Sequence, residues 1–143
     1  MLVRSGMFVY RAKKNADLVL ARGACVEQYG AGEAYLPFLD VLGSLLQSPG
    51  RERVIALLRR HAPTWCLQFP AVFSSGAMDQ ILREATGATK ERMLRELGDA
   101  LAVLTAETPV LLVLEDMHWT DPASVDMLRH LAERAHGQRL LLV

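Results

Sequence analysis

The stretch Pro109-Val-Leu-Leu-Val-Leu-Glu-Asp-Met-His-Trp-Thr-Asp-Pro122 constrains this chain most. Its side chains are all apolar from Pro109 to Leu114, and two carboxylates, Glu115 and Asp116, follow at once. An unbroken apolar run of this length, without polar alternation, predicts a strand buried on both faces, as in a parallel sheet. Asp121-Pro122 then reads as a helix start: the aspartate caps, and the proline occupies the first turn, where its missing N–H costs nothing. Acids at the carboxyl end of a parallel strand sit where open α/β sheets take their ligands.

The elements around this strand predict helices on both sides of it in sequence. Thr89 has the character of an N-cap, and apolar residues at 93, 94, 97, 101 and 104 carry a helix to about Glu107. Glu91 and Arg95 are expected to pair across one turn of it, and Gly98 weakens it slightly. Thr108-Pro109 ends it and leads into the strand. Beyond the strand, Val125, Leu128, Leu131, Ala132 and Ala135 predict a helix ending at His136-Gly137, and Arg139 to Val143 predicts another strand.

Earlier in the chain, Asp17 to Arg22 reads as a strand stopped by Gly23, followed by a loop to Gly32. Apolar residues at 35, 36, 39, 42, 45 and 46 predict a helix closed by Ser48-Pro-Gly50. Arg51 to His61 predicts a second, with Val54, Ile55, Leu57 and Leu58 inward and its arginines forming a solvated face. Residues 62–77 read as an irregular, aromatic-rich segment packed over the core, with Ser74-Ser-Gly76 as a breaker, and Met78 to Ala85 as a short helix. Residues 1–17 read as a poorly ordered lead-in and residues 18–143 as one domain. Strand, three or four helices, strand, helix, strand is an α/β order, which implies a parallel sheet with right-handed crossovers and flanking helices.

Composition excludes several classes. Lys plus Arg and Asp plus Glu are 16 each, and this zero net charge argues against direct nucleic-acid binding. No apolar run reaches the ~18 residues of a membrane helix, and the N-terminus, broken by Arg4 and Arg11, is a poor signal peptide. Cys25 and Cys66 match no zinc spacing and read as reduced thiols, so a cytoplasmic setting is expected. His118 with Asp116 or Asp121 lacks further ligands for a metal site. His61, His130 and His136 read as surface or helix-end residues and Trp119 as a packing anchor.

An apolar strand ending in two acids is the pattern of a Walker B strand, whose acids hold a Mg²⁺–nucleotide complex and orient the attacking water. That chemistry also needs a glycine loop ending in Gly-Lys-Ser/Thr to cradle the phosphates. The only lysines are Lys13, Lys14 and Lys90; none follows a glycine and none precedes Ser or Thr. These 143 residues hold no Walker A motif.

Arg22-Gly-Ala-Cys-Val-Glu27, Tyr35-Leu-Pro-Phe38, Arg92-Met-Leu-Arg-Glu-Leu97 and above all Leu112-Val-Leu-Glu-Asp-Met-His-Trp-Thr-Asp-Pro122 resemble the interior of a bacterial AAA-type, STAND-like P-loop ATPase domain. Such domains occur in large LuxR-type transcriptional regulators and in cyclase- or kinase-linked proteins. The resemblance implies a partial P-loop NTPase fold over residues 18–143, with the P-loop strand missing ahead of the first strand. It implies ATP and Mg²⁺ as the cofactors of the intact domain. Glu115 would act on Mg²⁺ through water, and Asp116 would bind nucleotide and activate the attacking water. His118, Trp119 and Asp121 would form a loop that couples nucleotide state to neighbouring parts. The expectation is a piece of an ATP-hydrolysing regulatory switch domain, inactive and without bound cofactor alone. Its partners would be the rest of the ATPase domain or other protein chains. The alternative is a non-catalytic protein-interaction module derived from such a domain, its unpaired sheet edge free to dock another chain.

Overall fold

The computed structural model describes residues 18–27 and 32–143; the lead-in expected over residues 1–17 lies outside the described residues. The architecture is α/β: three parallel strands, β1 (Val19–Ala24), β2 (Val110–Glu115) and β3 (Leu140–Leu142), in the order β1-β2-β3. Between β1 and β2 lie α1 (Leu36–Leu46), α2 (Arg51–His61), the short α3 (Pro63–Cys66), α4 (Ser75–Ala85) and α5 (Lys90–Glu107). Between β2 and β3 lies α6 (Pro122–Arg134). Five helices, not three or four, therefore separate the first two strands. The register is in step across the sheet: Val19 pairs with Val110 and Val110 with Leu140.

Both crossovers step the same way across the sheet. With the usual right hand, both deliver their helices to one face. The apolar clusters agree. Ala21, Val110 and Leu112 join the buried side chains of the helices in one large core. Leu111 and Val113, pointing the other way, pack with Leu18, Leu20 and Val143 in a second, smaller cluster. Val110 to Val113 are all buried, as the unbroken apolar run requires.

β1 begins and ends about two residues later than its composition suggests. Gly23 does not stop it. A Cβ there would lie 1.9 Å from the Pro37 carbonyl oxygen, so glycine lets the backbone of α1 rest directly on the strand. Ala24 N–H then donates to Asp40 Oδ2 at 3.0 Å, fixing the angle of α1.

The segment 62–77 is more ordered than its prolines and aromatics suggest. Trp65 is fully buried, its ring edge meets Tyr35 at a centroid distance of 5.3 Å, and its indole N–H donates to the Met93 carbonyl. Phe69 and Phe73 pack against the core as expected. A 3-10 turn follows at Pro70–Val72, and Ser74 caps α4 by accepting from Ala77 N–H. The Ser-Ser-Gly stretch thus starts a helix, because a serine side chain satisfies the free N–H groups of a first turn.

α5 caps on Thr89 as expected, but its ion pair is Arg92–Glu96 rather than Glu91–Arg95. Glu96 is buried and also accepts from Thr64 N–H and Oγ1, so its charge demands a partner that an exposed Glu91 does not. Gly98 has a packing reason: its surface faces His130 and Arg134 of α6, and a Cβ would meet His130 Nε2 at 2.9 Å. That brings His130 partly into the interface, with Nε2 buried and unpartnered among the described residues. On α6, Leu131 is buried and Leu128 packs against the core as expected, Ser124 and Met127 join the inward face, and Val125 is exposed. On α2 the solvated arginine face holds, with Arg53 paired to Glu107 and Arg59 to Glu84.

Candidate functional site

Glu115 is the last residue of β2, and its carbonyl accepts from Cys25 N–H at 3.0 Å, locking the strand end to the end of β1. Asp116 turns the chain sharply, with φ 55° and ψ 36° in the left-handed region. An aspartate tolerates this conformation better than most residues. Its carbonyl accepts from Trp119 N–H, opening the 3-10 turn Met117–Trp119. Both carboxylates are exposed, and among the described residues neither is tied up in a hydrogen bond or ion pair. The central strand thus delivers two uncommitted hard-oxygen donors to the carboxyl edge of the sheet.

Those two groups fit a magnesium–nucleotide complex. Mg²⁺ keeps several waters and takes one or two carboxylates plus phosphate oxygens, rather than a full protein cage. No cluster of three or more His, Cys, Asp or Glu able to hold a metal occurs among the described residues. The other half of such a site would be the phosphate cradle. Lys90, the one lysine among the described residues, begins α5 and pairs with Asp126 of α6, so it serves the helical layer.

The loop beyond Asp116 is built by three residues in different ways. His118 and Trp119 lie against each other, ring centroids 5.0 Å apart. Trp119 is 46% exposed, so it does not anchor the core as expected from its type. Asp121 caps α6, with Oδ1 accepting from Ser124 N–H at 2.9 Å and Oδ2 from the Ser124 hydroxyl. The same Oδ1 accepts from Tyr35 N–H at 3.3 Å. One carboxylate therefore joins the loop after β2 to the start of α1.

Tyr35 is the second left-handed residue, with φ 63°, and no short polar side chain eases it. Its buried ring against Trp65 and its N–H on Asp121 hold it there. Asp121 is expected from sequence as a helix cap and Tyr35 as part of the Tyr35-Leu-Pro-Phe38 motif, but the bond that joins them spans 86 positions and is not signalled by either segment. Cys25 completes the junction, its Sγ 3.7 Å from Met117 Sδ. Burial pushes its thiol upward; a hydrogen bond with Thr120 opposes this, and the charges of Asp121 and Asp116 add to it more weakly, so the thiol stays protonated at neutral pH.

The profile of the AAA ATPase domain family matches residues 6–143. The chain belongs to the AAA ATPase domain family. No match was found among curated proteins or among solved structures. Membership brings the use of ATP and Mg²⁺ by intact domains of this family, and the α/β fold with its three-stranded parallel sheet accords with a partial P-loop NTPase architecture. Among the described residues of this AAA ATPase domain, no helix is long and apolar enough to cross a membrane.

Proposed function

We propose that this AAA ATPase domain segment supplies the acidic half of an ATP site in a regulatory switch domain, of the kind carried by bacterial signalling proteins and LuxR-type transcriptional regulators. The observation that carries the reading is the uncommitted pair Glu115-Asp116 at the carboxyl end of the buried central strand. Glu115 would hold Mg²⁺ through water, and Asp116 would orient or deprotonate the water that attacks the terminal phosphate. Bound Mg²⁺ supplies the charge that neutralises the phosphate oxygens. His118, Trp119 and Asp121 form the coupling loop. The link from Asp121 to Tyr35, and from Tyr35 to Trp65, supports a path from the acids into the helical layer.

The 143 residues carry no Gly-Lys-Ser/Thr loop, so tight nucleotide binding requires a cradle from elsewhere. Isothermal titration of the full chain with Mg·ATP tests this half of the reading. The expected result is no saturation in the micromolar range. Micromolar binding altered by Glu115→Gln or Asp116→Asn would overturn it. In a longer polypeptide bearing such a loop ahead of residue 1, Asp116→Asn is expected to slow hydrolysis by about 10²–10⁴-fold while sparing Mg·ATP binding, as loss of a general base does. Unchanged hydrolysis would remove Asp116 from the chemistry.

A second reading has its own support. Among the described residues β1 and β3 each have one unpaired edge, and an open edge can add a strand from another chain. On that reading the segment is a non-catalytic interaction module. Size-exclusion chromatography separates the two, because a concentration-independent monomer counts against edge pairing.

A further inference from the structure

Arg53, Ala56, Leu57 and Arg60 follow one another on α2 at the three- and four-residue spacing of a single helical stripe. Beside the C-terminal half of α5 this stripe encloses a groove of about 200 Å³, floored by Ala56, Leu57, Val103 and Leu104. The lining comes wholly from these two helices. The two ends of the groove differ. Arg53 and Glu107 close one end as an ion pair. At the other, two turns and about 10 Å along α2, stand Arg60 and His61.

The arginines of α2 are not used alike. Arg53 has Glu107 as its partner and Arg59 has Glu84. Arg60 is exposed, and among the described residues neither its guanidinium nor the His61 ring takes part in a hydrogen bond or ion pair. Glu107 is the one acid in the walls, and Arg53 already offsets its charge. The free end therefore offers a planar guanidinium fork and an imidazole N–H, neither of which has an acceptor. Such donors match a carboxylate, whose two oxygens an arginine fork can hold at once. The apolar floor beyond them suits an aliphatic chain, which a bare inorganic anion lacks. The volume is below that of a drug-sized pocket, so the ligand is small.

We propose that this groove binds the anion of a small aliphatic carboxylic acid, its carboxylate on Arg60 and His61 and its chain over Leu57 and Val103. The occupant clasps α2 to α5, and α5 ends at Glu107, just ahead of β2 and its two acids. The site thus acts on the helix that leads into the acid-bearing strand. The assignment stands apart from the nucleotide reading, and its test uses no ATP.

The full chain is titrated with hexanoate, with hexanol, which keeps the chain and drops the charge, and with acetate, which keeps the charge and drops most of the chain. Saturation-transfer NMR reads binding from the ligand signals, at one fixed ionic strength. The expected result is saturable binding of hexanoate at about fivefold lower concentration than hexanol, a difference of ~1 kcal/mol, and no saturation with acetate over the same range. Arg60→Gln, at an exposed position without a partner, is expected to bring hexanoate to the level of hexanol. Arg51→Gln removes the same charge from α2 outside the groove and is expected to leave the hexanoate advantage intact. Equal binding of hexanoate and hexanol, saturation with acetate alongside hexanoate, an advantage that survives Arg60→Gln, one that Arg51→Gln abolishes, or no saturation with hexanoate would each overturn the assignment.

Discussion

Replacing Asp121 with alanine removes three hydrogen bonds through one side chain. Loss of the α6 cap costs about 1 kcal/mol. The Ser124 hydroxyl, in a fully buried residue, loses its acceptor, which costs about 1–3 kcal/mol. Tyr35 N–H loses a longer bond, about 0.5 kcal/mol, while Tyr35 keeps its left-handed strain. The total is about 3 kcal/mol, a large share of the ~5–15 kcal/mol that holds a typical domain together. Asparagine caps nearly as well as aspartate and keeps an oxygen for Ser124 N–H, so Asp121→Asn is expected to cost under about 1 kcal/mol. Urea unfolding followed by far-ultraviolet circular dichroism measures both variants, and comparing midpoints at equal slope avoids the error of long extrapolation. The reasoning fails if Asp121→Ala costs less than about 1 kcal/mol. It also fails if Asn and Ala cost the same, since Asn keeps an acceptor oxygen for the Ser124 N–H that Ala lacks.

Gly23→Ala is expected to destabilise by about 3 kcal/mol or prevent folding, because the added methyl meets backbone at Pro37 rather than a movable side chain; thermal melting compares it with Gly76→Ala, where the added Cβ meets nothing. The Cys66 thiol is pushed up from 9.0 to about 12, first by burial and next by the charge of Glu96, against the opposing effect of Arg59. A folded-state pKa above the unfolded one stabilises the protein fully below the unfolded value and loses that effect as pH rises through the folded value. Stability is therefore expected to fall between about pH 9 and 12 more steeply in the native chain than in Cys66→Ala, read from urea midpoints against pH.

Much of this arrangement was legible in the residues. The run Pro109–Leu114 gave a buried central strand because unbroken apolar character has few other outcomes in a chain with helices on either side. Thr89 and Asp121 gave helix starts because capping is local chemistry, settled within three residues. What escaped was set by distant contact. Gly23 looked like a stop until Pro37 was found against it. Trp119 looked like an anchor by type, yet the left-handed turn at Asp116 and the 3-10 turn after it leave the ring at the surface. Glu115 and Asp116 were recognisable as a pair, whereas the Asp121–Tyr35 bond, spanning 86 positions, has no signature in either segment.

The in-step register of the sheet has a kinetic consequence. Val110 meets Leu140 across 30 positions, with one helix between them, whereas Leu20 meets Leu111 across 91 positions and five helices. Closing the longer loop costs about 1 kcal/mol more in chain entropy, and that cost falls due before the contacts form. On loop-closure grounds the unit β2–α6–β3 is expected to form first, with β1 docking afterwards and carrying Gly23 into place beneath α1. Substitutions in the nucleus, such as Leu112→Ala, should slow folding, whereas those at Ala21 should mainly speed unfolding. The strand that bears the two acids would then be formed early, and the loop that joins them to α1 would close only in the final step.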